Sequence, residues 1–243
     1  MNLIIDVGNS FVKMALFEED KLILKEVICV KEIVKFTLKI KNNYPLIKNG
    51  IVSSVGKLKK EDIVTISKCF YLFVLDSQTN LPFINLYTTP KTLGVDRMAL
   101  VCGSIKKFPN QNVLVIDAGT CVTYDFVNSK NEYLGGAISL GIQMRYKSLH
   151  TFTAKLPFLE LKIPLDIIGK STQESIHSGV VFGILNEIDG VIETYKLKYP
   201  DLTVILTGGD AKFLSKQLKS SIFAHPNFLL EGLNYILQFN TNE

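Results

Sequence analysis

Ile4-Ile5-Asp6-Val7-Gly8-Asn9-Ser10-Phe11-Val12-Lys13 is the stretch from which the fold can be read. It opens as a short apolar run of the kind that forms a buried strand. It then meets a carboxylate at the strand end, a glycine that lets a ligand approach the backbone, and two short polar side chains. A second apolar run, Phe11 to Phe17, follows with Lys13 inside it. Two strands joined in this way form a hairpin. The turn fits a clamp for nucleotide phosphates. Its backbone N–H groups would face an anion, Asp6 would hold a metal on that anion, and Lys13 would act as a point charge beside it. Taken alone, it fits an ordinary Asx-type hairpin turn equally well.

Residues 2–7, 11–18 and 21–28 read as three successive strands, turning at Glu18-Glu19-Asp20. Helical spacing covers 29–42 (Val30, Ile33, Val34, Leu38). A strand at Gly50–Ser54, a helix at 57–67 and a strand at Phe70–Leu75 follow. Three hairpin-linked strands and then alternating helix and strand predict a mixed sheet with helices on its faces. Residues 76–93 lack periodicity and read as an irregular loop of the sort that carries function. A helix from Val95 to Lys107 ends at Pro109-Asn110.

The opening pattern then recurs. Val113–Ile116 is apolar and leads into Asp117-Ala118-Gly119-Thr120, which places Asp6 and Asp117 at an offset of 111 residues. A strand at Val122–Val127 and a third strand ending near Gly135-Gly136 complete a second meander. Helices are expected at Gly141–Thr153 and Thr172–Tyr199, the latter with Ser171 and Glu174 as a capping box. A strand at Asp201–Leu206 leads through Thr207-Gly208-Gly209-Asp210 into a helix, and 227–239 form the last helix. A repeat of this size predicts two similar domains, 1–110 and 111–243.

Bulk properties narrow the function. The chain has 243 residues, 47% of them hydrophobic, so it can bury a large core. No signal peptide precedes Asp6, and no apolar run approaches the ~20 residues of a membrane span. The four cysteines (Cys29, Cys69, Cys102, Cys121) form no close pair, which suits a reduced, cytoplasmic protein. The three histidines show no ligand spacing for zinc. A net charge of +4 is mild, and the lysines of 31–48 read as a solvated helix face rather than a nucleic-acid patch. Of the 27 Lys and Arg residues only Arg97 and Arg145 are arginine. Both are candidates for positions that need a planar, forked guanidinium.

No P-loop is present: Gly169-Lys170-Ser171 imitates the end of one, but Pro164 stands where its first glycine belongs. No Gly-x-Gly-x-x-Gly turn argues for a dinucleotide fold. What remains is three strand-to-turn sites in order: Asp6-x-Gly-Asn-Ser, Asp117-x-Gly-Thr and Gly208-Gly209-Asp210. Together they predict two facing domains that pinch a triphosphate, with the Gly-Gly turn accepting a flat base and ribose.

This pattern resembles the acetate and sugar kinase, Hsp70 and actin superfamily, with its duplicated ribonuclease-H-like domain. Within it the chain resembles the type III pantothenate kinases. The residues that carry the likeness are Asp6 to Lys13, Tyr87 with Gly94-Val95-Asp96-Arg97, Asp117-Ala118-Gly119-Thr120, Gly169-Lys170-Ser171-Thr172 and Gly208-Gly209-Asp210.

The resemblance implies an α/β fold of two actin-like ATPase domains and ATP-dependent phosphorylation of pantothenate. It implies that Asp6, Val7, Gly8, Asn9, Ser10, Phe11, Val12 and Lys13 bind the ATP phosphates, with Asp6 also near magnesium, directly or through water. Thr120, Gly208 and Gly209 would also contact ATP, and Asp117 would help hold a monovalent cation, potassium or ammonium. Tyr87, Gly94, Val95, Asp96, Arg97 and Thr172 would bind pantothenate, with Asp96 as the proton acceptor. A homodimer is implied, with no nucleic acid and no membrane partner. Ser10 stands where the family more often has Thr, and Leu140 stands where a Pro is expected. Arg145 has no assigned role. The alternatives are a non-catalytic accessory protein of the same fold, of the Bvg accessory factor type, and a superfamily kinase for another small hydroxy compound.

Overall fold

The computed structural model describes residues 1–8, 11–54 and 58–241. Asn9 and Ser10, expected in the phosphate clamp, lie outside the described residues. The chain divides into two units. The first comprises Met1–Pro109, Asn131–Tyr133 and Asn227–Glu243, and the second comprises Asn110–Lys130 and Leu134–Pro226.

In the first unit β1 (Asn2–Val7), β2 (Val12–Glu18) and β3 (Lys21–Ile28) form the expected meander. α1 (Ile33–Asn43), β4 (Asn49–Ser54), α2 (Lys60–Ser67) and β5 (Tyr71–Val74) follow, giving the strand order β3-β2-β1-β4-β5. The first three strands are antiparallel neighbours, while β4 and β5 add in parallel, so the sheet is mixed. Side chains alternate across a strand, and β1 is buried on both faces. Leu3, Ile5 and Val7 pack with Ile33 and Ile40 of α1 and Ile66 of α2. Ile4 and Asp6 point to the other face. Within the irregular 76–93 loop lies a short strand that periodicity does not reveal, β6 (Ile84–Asn85), paired in parallel with Glu132 and Tyr133. Helix α3 (Val95–Lys107) has the predicted limits.

The second unit repeats the plan. β7 (Val113–Ala118), β8 (Cys121–Val127) and β9 (Glu132–Leu140) are its meander; β9 extends past the glycines that were expected to end it. α4 (Ile142–Thr151), α5 (Thr172–Lys198), β10 (Thr203–Thr207), α6 (Ala211–Leu214) and β11 (Phe223–Ala224) complete it. β10 lies parallel to β7, and β11 parallel to β10. Leu114, Ile116 and Ala118 pack with Ile142, Tyr146, Ile176, Val180 and Ile184, the same alternation as in β1. At α5 the Ser171 hydroxyl accepts from Glu174 N at 3.3 Å, while the Glu174 carboxylate reaches back to Lys170 N at 2.7 Å, one residue beyond the capping-box position.

Helix α7 (Phe228–Thr241) belongs with the first unit, although the sequence places it in a second domain of 111–243. Its apolar stripe packs on α3 and on the β1–β4 face. Gly232 lies so close to the Ala99 carbonyl that a Cβ would clash, and Asn234 accepts from Asn2 at 3.0 Å. A helix is placed by the face that covers it, not by its neighbours in sequence.

Candidate active site

Asp6 is the fifth residue of β1, at the C-terminal end of the strand. Pairing registers set its surroundings: Lys13 lies opposite on β2 and Ser53 opposite on the parallel β4. Ligand sites of open α/β sheets gather at such carboxyl ends. Lys13 Nζ stands 3.8 Å from Asp6 Oδ2. Asp6 is only 6% exposed. Burial pushes its carboxyl up to about 6 from an ordinary 3.8; the Lys13 charge opposes this, the Asp96 charge adds to it, and the Ser53 hydroxyl pulls it down. Burial of an incompletely neutralised carboxylate is costly, so this site suits a hard cation with oxygen ligands. The turn closes through Gly8 N donating to Phe11 O at 3.1 Å. Val7 and Val12 are buried in the core beneath it, while Phe11 is exposed.

Asp96 reaches the same neighbourhood from the start of α3. Gly94 is the N-cap, and a Cβ on it would collide with Asp96 Oδ1. That oxygen accepts from Arg97 N at 2.8 Å, which fixes the direction of the carboxylate. Val95, the first helical residue, is half-buried. Arg97 is buried, with its guanidinium carbon 5.7 Å from the Tyr87 ring centroid. Tyr87 stacks at 6.0 Å and 27° on the fully buried Tyr133. The pairing of β6 with Glu132 and Tyr133 carries Tyr87 there. Asp6, Lys13 and Asp96 are thus one electrostatic group, with Tyr87 and Arg97 as a cation–π pair in the same unit.

The second unit holds the matching set. Asp117 is the fifth residue of β7, opposite Thr123 on β8 and Thr207 on the parallel β10. Gly208 has φ +97°, and a Cβ there would clash with the Ala118 carbonyl and the Asp117 carboxylate. Asp210 N donates to Ala118 O at 2.9 Å. Gly208 therefore brings the turn after β10 directly onto the Asp117 turn, leaving Gly209 and Thr120 exposed. Burial raises the Asp210 carboxyl. Thr172, the first residue of α5, lines a cavity of about 970 Å³ with Leu140, Arg145, Lys170 and Ser175.

Two neighbours of the site escape the sequence, and a third, Gly141, is legible there only as a turn glycine before α4. Ser53 lies beside Asp6 only because β4 pairs in register with β1; its sole trace is a Ser-Ser pair at a strand end. Tyr133 is visible only as the floor under Tyr87. Gly141 packs on the Gly119 and Thr120 carbonyls so closely that no side chain fits. Among the described residues no group of three His, Cys, Asp or Glu side chains could hold a metal, and no helix is long and apolar enough to cross a membrane.

Residues 2–194 match the family model described as type III pantothenate kinase. This chain belongs to the type III pantothenate kinase family. Among its family relatives, the type III pantothenate kinase of Christiangramia forsetii is 48% identical over 243 residues, covering 100% of both chains. Among solved structures, a Campylobacter jejuni protein assigned to the Baf family of transcriptional activators aligns with a TM-score of 0.66 and 22% identity, over 99% of this chain and 100% of its own. A Listeria monocytogenes protein assigned as an N-acetylmannosamine kinase aligns at 0.58 and 9%, over 98% and 99%. At such identities these two likenesses establish the fold alone. They place this pantothenate kinase family member in the two-sheet α/β architecture of the sugar kinases.

Proposed function

We propose that this chain transfers the γ-phosphoryl group of ATP to the primary hydroxyl of pantothenate, giving 4′-phosphopantothenate, the entry step of coenzyme A biosynthesis. The observation that carries the site assignment is the approach of Asp96 to Asp6. A carboxylate oriented by Arg97 N stands within electrostatic reach of the buried carboxylate at the phosphate turn.

Asp96 accepts the proton that leaves the pantothenate hydroxyl as the new P–O bond forms. Asp96 is a weak base, but phosphoryl transfer rests more on positioning and charge neutralisation than on base strength. Arg97, backed by Tyr87, grips the pantothenate carboxylate as a fork. Gly94 and Val95 shape the backbone beside it, and Thr172 contributes a hydroxyl to substrate binding. The Val7–Gly8 backbone, the neighbouring Asn9, Ser10, Phe11 and Val12, and the Lys13 charge hold the ATP phosphates. Thr120 adds a further contact, and Gly208-Gly209 accept the adenosine. Asp6 is the residue that holds Mg²⁺, directly or through water, and Asp117 the one that holds potassium or ammonium. When bound, these ions neutralise charge that builds on the phosphate oxygens.

A homodimer is supported by an exposed apolar run in the second unit. Phe152 is 84% exposed, Ile168 71%, and Leu165 fully so. Patches of this kind mark interaction surfaces. Four free cysteines suit a reducing cytoplasm.

A coupled assay of ADP release tests the reading, with and without pantothenate, in potassium and then sodium buffer. Pantothenate-dependent release that is faster in potassium is expected. Release independent of pantothenate would remove the substrate assignment.

A further inference from the structure

Arg145, in the first turns of α4, has no place in the chemistry above, yet its contacts are specific. Its Nη2 donates to the Glu187 carboxylate on α5 and to Ser139 Oγ at 3.4 Å. Its Nε donates to the Leu140 carbonyl at 3.0 Å. The other Glu187 oxygen accepts from the hydroxyl of buried Tyr124 on β8 at 2.9 Å. Burial raises Glu187, but the hydrogen bonds from Arg145, Ser139 and Tyr124 outweigh it, and the carboxyl is held below its ordinary value. One guanidinium thus ties the last two residues of β9 to α5 and β8. A lysine ammonium has no planar fork to serve these directions together. This fits the use of arginine here in a chain whose other cations, Arg97 aside, are lysines.

The tied segment leads to the second phosphate turn. Gly141 follows Leu140, and its N–H donates to Thr120 O at 3.1 Å, while its Cα rests against the Gly119 and Thr120 carbonyls. Arg145 N donates back to Gly141 O at 3.1 Å. The Leu140 carbonyl is held by the Arg145 bond. The Gly119–Thr120 turn leans on Gly141; the Arg145 side chain holds Leu140, the residue before it, while the Arg145 N–H bond to Gly141 O is a helix bond that any residue at 145 makes.

We propose that Arg145 is a positioning residue for ATP: through Leu140 and Gly141 it fixes the Gly119–Thr120 turn. The inference rests on the reading of Thr120 as an ATP contact. A residue that only stabilised the fold would lower the melting temperature and the active fraction, and would leave ATP affinity per folded molecule unchanged.

Calorimetric titration of Arg145→Met and Arg145→Lys with ATP tests this. Losing one well-aligned hydrogen bond to a charged phosphate costs roughly tenfold or more in affinity. Arg145→Met should raise the ATP Kd, measured without pantothenate, by about tenfold, with Arg145→Lys in between. In a Thr120→Ala background the Arg145→Met effect on ATP should shrink, because the two act through one turn. If Arg145→Met does not fold, Glu187→Gln keeps the shape and loosens the grip, and it should raise the ATP Kd severalfold. Unchanged ATP affinity in the folded variants, or full additivity with Thr120→Ala, overturns the inference. The ATP titration needs no pantothenate. A wild-type chain that binds ATP without phosphorylating pantothenate would sink the function and leave this test standing, and one that binds no ATP would sink both.

Discussion

Asp6 and Lys13 are register partners across β1 and β2, and the lysine ammonium stands 3.8 Å from the carboxylate. Lys13 is 40% exposed, so water screens the pair. An ion pair of this kind contributes at most about 1 kcal/mol. It does not offset the burial of Asp6, whose carboxyl sits at about 6. The buried carboxylate is kept at a cost to the fold, which fits its proposed role as a cation ligand.

That cost has a pH signature. The folded pKa of Asp6 lies above its unfolded value, so the acid form is favoured by folding. Its contribution is most favourable below about pH 4 and is lost as the pH rises through about 6. Without Mg·ATP, Asp6→Asn should be more stable than the wild type at pH 7.5, by on the order of 2–3 kcal/mol, and the gain should fade towards pH 4. Melting curves across this range check it; a gain that does not vary with pH would count against it. The same variant should lose most of its use of Mg·ATP.

Asp96→Asn keeps the shape of the first turn of α3 and its bond to Arg97 N, but cannot take a proton. Turnover should fall by about 10²-fold or more while ATP still binds. Near-normal turnover would remove Asp96 as the proton acceptor.

Arg97→Lys keeps the charge and loses the planar fork beside Tyr87. The KM for pantothenate should rise by about tenfold or more, with the KM for ATP little changed. Initial-rate kinetics with each substrate varied in turn separate the two. An equal rise in both would place Arg97 outside the substrate grip.

Gly208→Ala forces a side chain into φ +97° and against the Ala118 carbonyl. A loss of about 2–4 kcal/mol is expected, together with weaker ATP binding from displacement of the turn. Gly209→Ala has open space at the Cβ position, so its stability should be near that of the wild type. Denaturant unfolding of both variants compares them directly.

Leu165→Glu places a charge in the exposed apolar residues proposed as the dimer face. Sedimentation velocity should show a shift from dimer to monomer, and an unchanged dimer would put the interface elsewhere.

Much of this protein is local, and the sequence carries it. The Asp-x-Gly turns after apolar runs, the limits of α3 and the start of α5 follow from periodicity, capping and turn chemistry. These act within a few residues. The repeat of Asp6 at Asp117 is local information met twice. The family likeness rests on the same short motifs.

Register and partnership came only from the tertiary structure. Val7 pairs with Val12, but Ala118 pairs with Val122, so the second turn is one residue shorter. The offset of 111 residues therefore holds for the first strands and slips by one in the next. As a result the counterpart of Lys13 opposite Asp117 is Thr123: the first turn carries its own cation, and the second offers a neutral hydroxyl. The same holds for Ser53 beside Asp6, the short strand that carries Tyr87 to Tyr133, and α7 on the first sheet. Each depends on which distant segments pack together. Strand pairing and helix docking are decided by the burial of whole faces against loop-closure entropy, and no short stretch of sequence states the result.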